Sequence, residues 1–258
     1  MDNFDNHRTT VDILKCYNYF ISVQELCSMM LDVKEVAKLM SVSEKTVYRW
    51  ISKKEIPAYK IGEGYRFNRV ELLEWATARK INISYQIFDE AVESVSTMPT
   101  LAEIISSGGI YYKVPGSDKE SVLKSIVDII NLPDDVDKEF LVSALISREN
   151  LGTTAIGDGI AIPHVRNPII FNINKPVLAL CFLEKAIDFD ALDKKPVDTL
   201  FIIVTHNVRS HLYYLSRLSY ALQQKEVRKS INSNSSRQEI LDSLSVLEKK
   251  LIKNAPGK

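Results

Sequence analysis

Two apolar runs of strand length, residues 177–183 and 197–204, stand among amphipathic helical patterns at 119–130, 138–146, 211–222 and 237–251, and the second run is the more β-branched. A short helix at 101–105, closed by Gly108-Gly109, and a strand at 111–114 precede them. Strands that alternate with helices bury their apolar faces by layering, so the chain from Thr100 onward reads as an α/β domain. Cys181 sits within the first apolar run and reads as a core residue.

A chain of 258 residues is long for one ordinary domain and comfortable for two. Apolar residues at 45% and charged residues at 26% exclude an intrinsically disordered protein. Lys+Arg and Asp+Glu are both 33, which excludes a uniformly basic nucleic-acid coat. The balance is nevertheless uneven: residues 31–80 hold eleven Lys/Arg against seven Asp/Glu, whereas residues 1–30 hold two against four. Three widely spaced cysteines with no CxxC argue against a disulfide scaffold or a zinc site and for a reducing compartment. No run of about 20 apolar residues is present, so no membrane insertion is expected. The start Met-Asp-Asn-Phe-Asp lacks a basic segment followed by an apolar one, and the reading is a cytoplasmic protein. The expected divisions are an extension at 1–30, a basic unit at 31–80, a connector at 81–98 closed near Pro99, a larger domain at 99–251, and a tail at 252–258. Within the extension, Ile13, Tyr17, Phe20 and Ile21 have near-helical spacing, and residues 85–95 of the connector read as a short helix.

The basic unit has its own pattern. Val33, Val36, Ala37 and Met40 mark one amphipathic helix, and Ser43 is a good N-cap for a second helix that runs from Glu44 to about Lys53. Val47, Trp50 and Ile51 form the apolar stripe of the second helix, with Lys45, Thr46, Tyr48 and Arg49 on its polar front. Residues 56–61 and 65–67 read as two short strands about the turn Gly62-Glu63-Gly64, and 69–79 as a third helix with Leu72, Leu73 and Trp75 inward. Two helices on a tight turn followed by a β-ribbon make a winged helix-turn-helix pattern. The stretch from Leu31 to Ile51, with the ribbon through Arg66, resembles the excisionase and MerR-like helix-turn-helix family. That resemblance implies a second helix that enters the major groove of DNA and a ribbon that touches its backbone. Arg49 suits a guanine edge or a phosphate, Ser43 and the first helical amides suit a phosphate, and Lys60 and Arg66 are further phosphate candidates. Glu63 at the turn repels phosphate. Such modules commonly bind paired half-sites, which makes a homodimer the expected assembly.

The most specific string runs Arg148-Glu149-Asn150-Leu151-Gly152-Thr153-Thr154-Ala155-Ile156-Gly157-Asp158-Gly159-Ile160-Ala161-Ile162-Pro163-His164. It resembles the enzyme IIA domains of the mannitol/fructose and nitrogen-related type in the bacterial sugar phosphotransferase system, over about residues 99 to 250. The resemblance implies an α/β domain with a central mixed sheet flanked by helices. It also implies that His164 accepts a phosphoryl group from a histidine phosphocarrier protein. The segment from Ser210 to Leu218 resembles the helix start that bears the family's second histidine, here His211. Chemistry supports the assignment. Imidazole is nucleophilic at neutral pH, and the transition state spreads charge over three oxygens that a site must position and neutralise. Arg148, Thr153 and Thr154 can supply donors to those oxygens, Gly157 and Gly159 let main chain approach, and Pro163 fixes the backbone before the nucleophile. Glu149 reads as a residue that holds Arg148. No metal or other cofactor is called for. His7 and His206 read as surface residues.

The joint expectation is a two-domain DNA-binding transcriptional regulator, phosphorylated on histidine by the phosphotransferase system. The rival expectation is an enzyme IIA phosphocarrier that passes phosphoryl groups on to a sugar transporter subunit.

Overall fold

A reciprocal pair starts the first helix: Asp32 Oδ1 accepts from Glu35 N and Glu35 Oε2 accepts from Asp32 N, both at 2.8 Å. This capping box satisfies amides that a helix start leaves open. The structure is a computed structural model that describes residues 30–79, 81, 98–134, 136–165, 173–233 and 235–253. Its internal contacts divide these residues into two units, 30–38 with 42–72 and 39–41 with 73–253. The near-helical pattern at Ile13–Ile21 and the expected helix at 85–95 lie outside the described residues, as do His7, Cys16 and Cys27.

The first unit contains β1 (Met30–Leu31), α1 (Val33–Leu39), α2 (Glu44–Ser52), β2 (Tyr59–Ile61), β3 (Gly64–Asn68) and the start of α3 (Arg69–Ala78). Residues of α3 from Leu73 onward count with the second unit. The strands form an antiparallel sheet in the order β1-β3-β2. Ser43 Oγ caps α2 by accepting from Thr46 N at 3.2 Å, a bond of the kind worth about 1 kcal/mol. On α2, Val47 is buried, whereas Trp50 and Ile51 are only half-buried. Gly62, at φ +61°, supplies the left-handed backbone of the β2–β3 turn. Asn68 Oδ1 accepts from Val70 N at 2.9 Å and opens α3, whose Leu72, Leu73 and Trp75 are buried.

The second unit continues with α4 (Leu101–Gly108), β4 (Ile110–Val114), α5 (Lys119–Ile129), α6 (Lys138–Asn150), β5 (Ala155–Gly157), β6 (Ile160–Ala161), β7 (Val177–Ile187), β8 (Val197–Val204), α7 (Val208–Ala221), α8 (Lys225–Asn232) and α9 (Arg237–Lys253). The five strands form one mixed sheet in the order β4-β7-β8-β6-β5. β4 lies parallel to β7 and β6 parallel to β8, while β7 with β8 and β5 with β6 are antiparallel. β7 and β8 are interior strands, and Val177 to Phe182 are all buried. A strand covered on both faces has no polar alternation, which explains the continuous apolar runs. Helices α5 and α6 pack Val122, Leu123, Ile126, Leu141 and Leu145 into the same core as Cys181, Leu200 and Ile202. Glu248 of α9 is buried and accepts from Leu101 N at 2.8 Å and Ala102 N at 3.4 Å, so a carboxylate meets the amide-rich start of α4.

Three elements depart from the expectation. Helix α7 begins at Val208 rather than His211, because Asn207 Oδ1 caps it through Ser210 N at 2.7 Å. The β5–β6 hairpin and α8 were not legible: the strands have three and two residues, and α8 buries only Val227 and Ile231. Among the described residues no helix is long and apolar enough to cross a membrane.

Helix α4 ends against the start of β7. A Cβ at Gly108 would stand 2.4 Å from the carbonyl oxygen of Leu178, inside any allowed contact and against backbone. Gly108→Ala should therefore destabilise the folded chain by about 1–3 kcal/mol, read as a lower urea midpoint at unchanged m-value.

Candidate functional site

β8 brings the two histidines together. Ile203 N donates to Pro163 O at 3.1 Å, and His164 lies in parallel register beside Ile203, so the segment that follows β6 is pinned near the end of β8. The chain leaving β8 is capped by Asn207 and enters α7, which carries His211 in its first turn. The two rings are 5.0 Å apart between centroids at 46°, and both residues are buried.

Hydrogen bonding fixes the tautomer of His164. Its Nδ1 lies 2.7 Å from the carbonyl oxygen of Ile162. A carbonyl only accepts, so Nδ1 carries a proton and donates it. In the neutral ring the lone pair then belongs to Nε2. Nε2 faces Glu74 Oε1 at 2.7 Å, a contact in which the carboxylate only accepts, so Nε2 donates while Glu74 is docked; the other oxygen of Glu74 takes Arg148 Nη2 in a short contact. Arg148 Nη1 also donates to Gly152 O at 2.9 Å. Glu74 and both of its partners belong to the second unit. Burial opposes the charge of Glu74, but the neighbouring His164 and then Arg148 outweigh it and bring its pKa down to about 2.

His211 is the opposite case. Burial, reinforced by the positive His164 nearby, lowers its pKa to about 3, so the ring is neutral near pH 7. Neither of its ring nitrogens has a hydrogen-bond partner among the described residues. A buried, unpaired donor of this kind costs about 1–3 kcal/mol.

The neighbouring loop differs from its sequence reading. Thr153 Oγ1 donates to Phe189 O, and Thr154 donates through its hydroxyl (2.6 Å) and its amide (3.1 Å) to Glu149 Oε2. Both hydroxyls, read as donors to an anion, are thus committed to holding the loop. Glu149 takes Thr154 and Lys119 (3.4 Å) rather than Arg148. Gly157 is also placed elsewhere: with Asp158 and Gly159 it forms the left-handed turn between β5 and β6, and it does not line the pocket at His164. That pocket is lined by Glu74, Thr77, Arg148, Thr154, Ile162 and His164, among others. Glu74 is the residue that sequence reasoning missed. It stands 90 positions before His164, and one of two glutamates on a helix carries no signal beyond a solvated face. His206, read as a surface residue, is half-buried, and Cys181 is a buried core residue whose thiol is pushed up to about 12 by burial.

In the first unit, Ser43, Lys45, Tyr48, Arg49, Lys60 and Arg66 are exposed, and Thr46 is half-buried with its hydroxyl 3.1 Å from that of Ser43. The ring of Tyr48 meets that of Tyr65 edge to face at 6.4 Å, which sets the polar front of α2 beside the ribbon.

The neutral His211 has a measurable consequence. Its folded-state pKa lies below the unfolded value of 6.5, so below pH 6.5 the unfolded chain binds a proton that the folded chain does not. Stability should fall as pH drops from about 6.5 towards 3. Ring NMR signals of His211 should remain those of a neutral imidazole at pH 5.

Residues 103–246 match the family model "Phosphoenolpyruvate-dependent sugar phosphotransferase system, EIIA 2", and residues 30–80 match the model "Helix-turn-helix domain". The chain is 35% identical over 140 residues to a nitrogen regulatory protein of Pseudomonas aeruginosa, covering 53% of this chain and 88% of that protein. It is 33% identical over 156 residues to the fructose-specific EIIA component of the PTS system of Haloferax volcanii, covering 59% and 96%. The crystal structure of nitrogen regulatory protein IIA-Ntr from Neisseria meningitidis aligns with a TM-score of 0.49 at 29% identity, over 56% of this chain and 98% of that one. With more than half of its length matched by that model, and with a helix-turn-helix domain ahead of it, the chain belongs to the EIIA 2 family of the phosphoenolpyruvate-dependent sugar phosphotransferase system.

Proposed function

We propose that this chain is a cytoplasmic DNA-binding regulator whose second unit accepts a phosphoryl group on His164 Nε2 from a histidine phosphocarrier protein. One observation supports the reading: Nδ1 is held by the Ile162 carbonyl, so Nε2 is the nitrogen turned to the carboxylate that Arg148 also holds, and His211 lies beside it with no hydrogen-bond partner among the described residues. The Nε2 lone pair attacks phosphorus, the N–P bond of the donor phosphohistidine breaks, and its electron pair returns to the donor imidazole. Arg148 neutralises the equatorial oxygens, and neutral His211 donates its single N–H to one of them. Thr153 and Thr154 keep the loop in place and leave its main chain to face the phosphoryl group.

The regulatory half of the proposal rests on the exposed front of α2. Lys45, Thr46, Tyr48 and Arg49 present polar groups to a major groove, with Lys60 and Arg66 on the ribbon as a wing against phosphates and Ser43 at the helix start. Two copies on paired half-sites give the homodimer that such modules use. The reader spans about 31–80 and the acceptor about 99–251.

Incubation with enzyme I, the histidine phosphocarrier protein and phosphoenolpyruvate should add one acid-labile phosphate to the intact mass. His164→Ala should lose it, and Arg148→Met should slow its appearance by about a hundredfold. Absence of the phosphate while the carrier itself is labelled would overturn the acceptor assignment. On DNA selected from random duplexes, Arg49→Ala should weaken binding by about 1–3 kcal/mol, measured by fluorescence anisotropy. A wild-type chain that selects no sequence would leave the phosphocarrier alone as the function of the second unit.

A further inference from the structure

The carboxylate of Glu74 stands where an incoming phosphoryl group has to arrive. One oxygen faces the nucleophilic nitrogen of His164 at 2.7 Å, and the other binds the guanidinium of Arg148. A phosphoryl group on Nε2 would use the same nitrogen and the same guanidinium. Space gives a second, independent argument. With Glu74 in place the cavity beside His164 is about 20 Å³, room for roughly one water molecule and not for a phosphoryl group. The seat of this part of α3 is specific as well as ionic. Thr77 Oγ1 donates to Ser219 Oγ of α7 at 3.0 Å, and both Thr77 and Ala78 line the same cavity.

Resting on the reading of His164 as phosphoryl acceptor, we propose that Glu74 is a built-in anionic plug of the acceptor site, and that its docking and the phosphorylation of His164 are mutually exclusive. Glu74 shields the nucleophile until a donor displaces it, and the phosphoryl group then keeps it out by occupying its partners and by like-charge repulsion. The final residues of α3 leave the second unit as a consequence. Because Glu74 and Thr77 belong to one helix, the phosphorylation state of His164 is thereby read out on α3 itself. The same two partners serve both anions, so one contact set has two occupants and the device needs no further site.

The test uses the full chain with phosphoenolpyruvate, enzyme I and the histidine phosphocarrier protein, in wild-type, Glu74→Gln, Glu74→Ala and His164→Ala forms. Two readouts are taken: the initial rate of acid-labile phosphate gain, and hydrogen exchange of the peptide that covers residues 69–79. The expected result is faster labelling of both Glu74 variants, by about fivefold or more, with exchange of that peptide raised in the unphosphorylated variants. Wild-type exchange should rise to the same level only after phosphorylation. His164→Ala should take no phosphate and should show no change on incubation with the donors. Equal or slower labelling of both Glu74 variants would overturn the plug and recast Glu74 as a positioning residue for transfer. So would exchange that is unchanged by phosphorylation. Wild-type chain and both variants that all remain unlabelled beside a labelled carrier would instead remove the acceptor reading and the plug with it, whereas labelling of the Glu74 variants alone supports the plug in its strongest form.

Discussion

The hydrogen bond from His164 Nδ1 to the carbonyl of Ile162 determines the chemistry of everything around it. It leaves Nε2 as the ring nitrogen open to other partners, and Nε2 is the atom that meets Glu74 and shares it with Arg148. Pairing of Pro163 and His164 with Ile203 fixes the backbone from which the ring projects. Sheet topology therefore places the residue, and the carbonyl two positions before it orients the ring. The interior pair β7 and β8 does not touch the chemistry, but it carries the line along which His164 and His211 meet.

Charge makes this site demanding. A half-buried carboxylate, a buried guanidinium and two buried imidazoles are expensive to desolvate one by one, and the charges persist because each has a partner. Glu74 remains ionised against burial through His164 and Arg148, while His211 remains neutral and without a partner among the described residues. Like charges about 4 Å apart repel by about 4 kcal/mol at an effective dielectric constant near 20. An arriving dianion and a resident carboxylate are therefore incompatible neighbours, which is why one site can hold two states and no mixture of them.

Much of this was legible in the sequence, and what failed did so for identifiable reasons. The runs at 177–183 and 197–204 read as strands because two-sided burial leaves no alternation, and Ser43 read as a cap because its hydroxyl has one local use. The string from Arg148 to His164 contains the two residues that the fold brings to Glu74. Within it, Thr153, Thr154 and Gly157 were harder, because composition shows that hydroxyls and left-handed turns are available but not what they serve. Phe189, Glu149 and the β5–β6 turn claim them. Asn207 moved the start of α7 back by a turn, a shift that a periodicity window cannot resolve. Glu74 was beyond reach, since its role lies in a pairing across 90 positions and its own helix marks only an apolar stripe.

Glu74 sits six residues after the Asn68 that opens α3, on a helix that is continuous from Arg69 to Ala78. Each residue of an α-helix turns the next side chain by about 100° and advances it by about 1.5 Å. Glu74 and Thr77, three residues apart, therefore share one face of the helix, and a single residue inserted between them would take either the carboxylate from Arg148 or the hydroxyl from Ser219. This short stretch is thus geared: spacings that preserve its angular phase are open to evolution, and intermediate spacings disengage one of the two contacts.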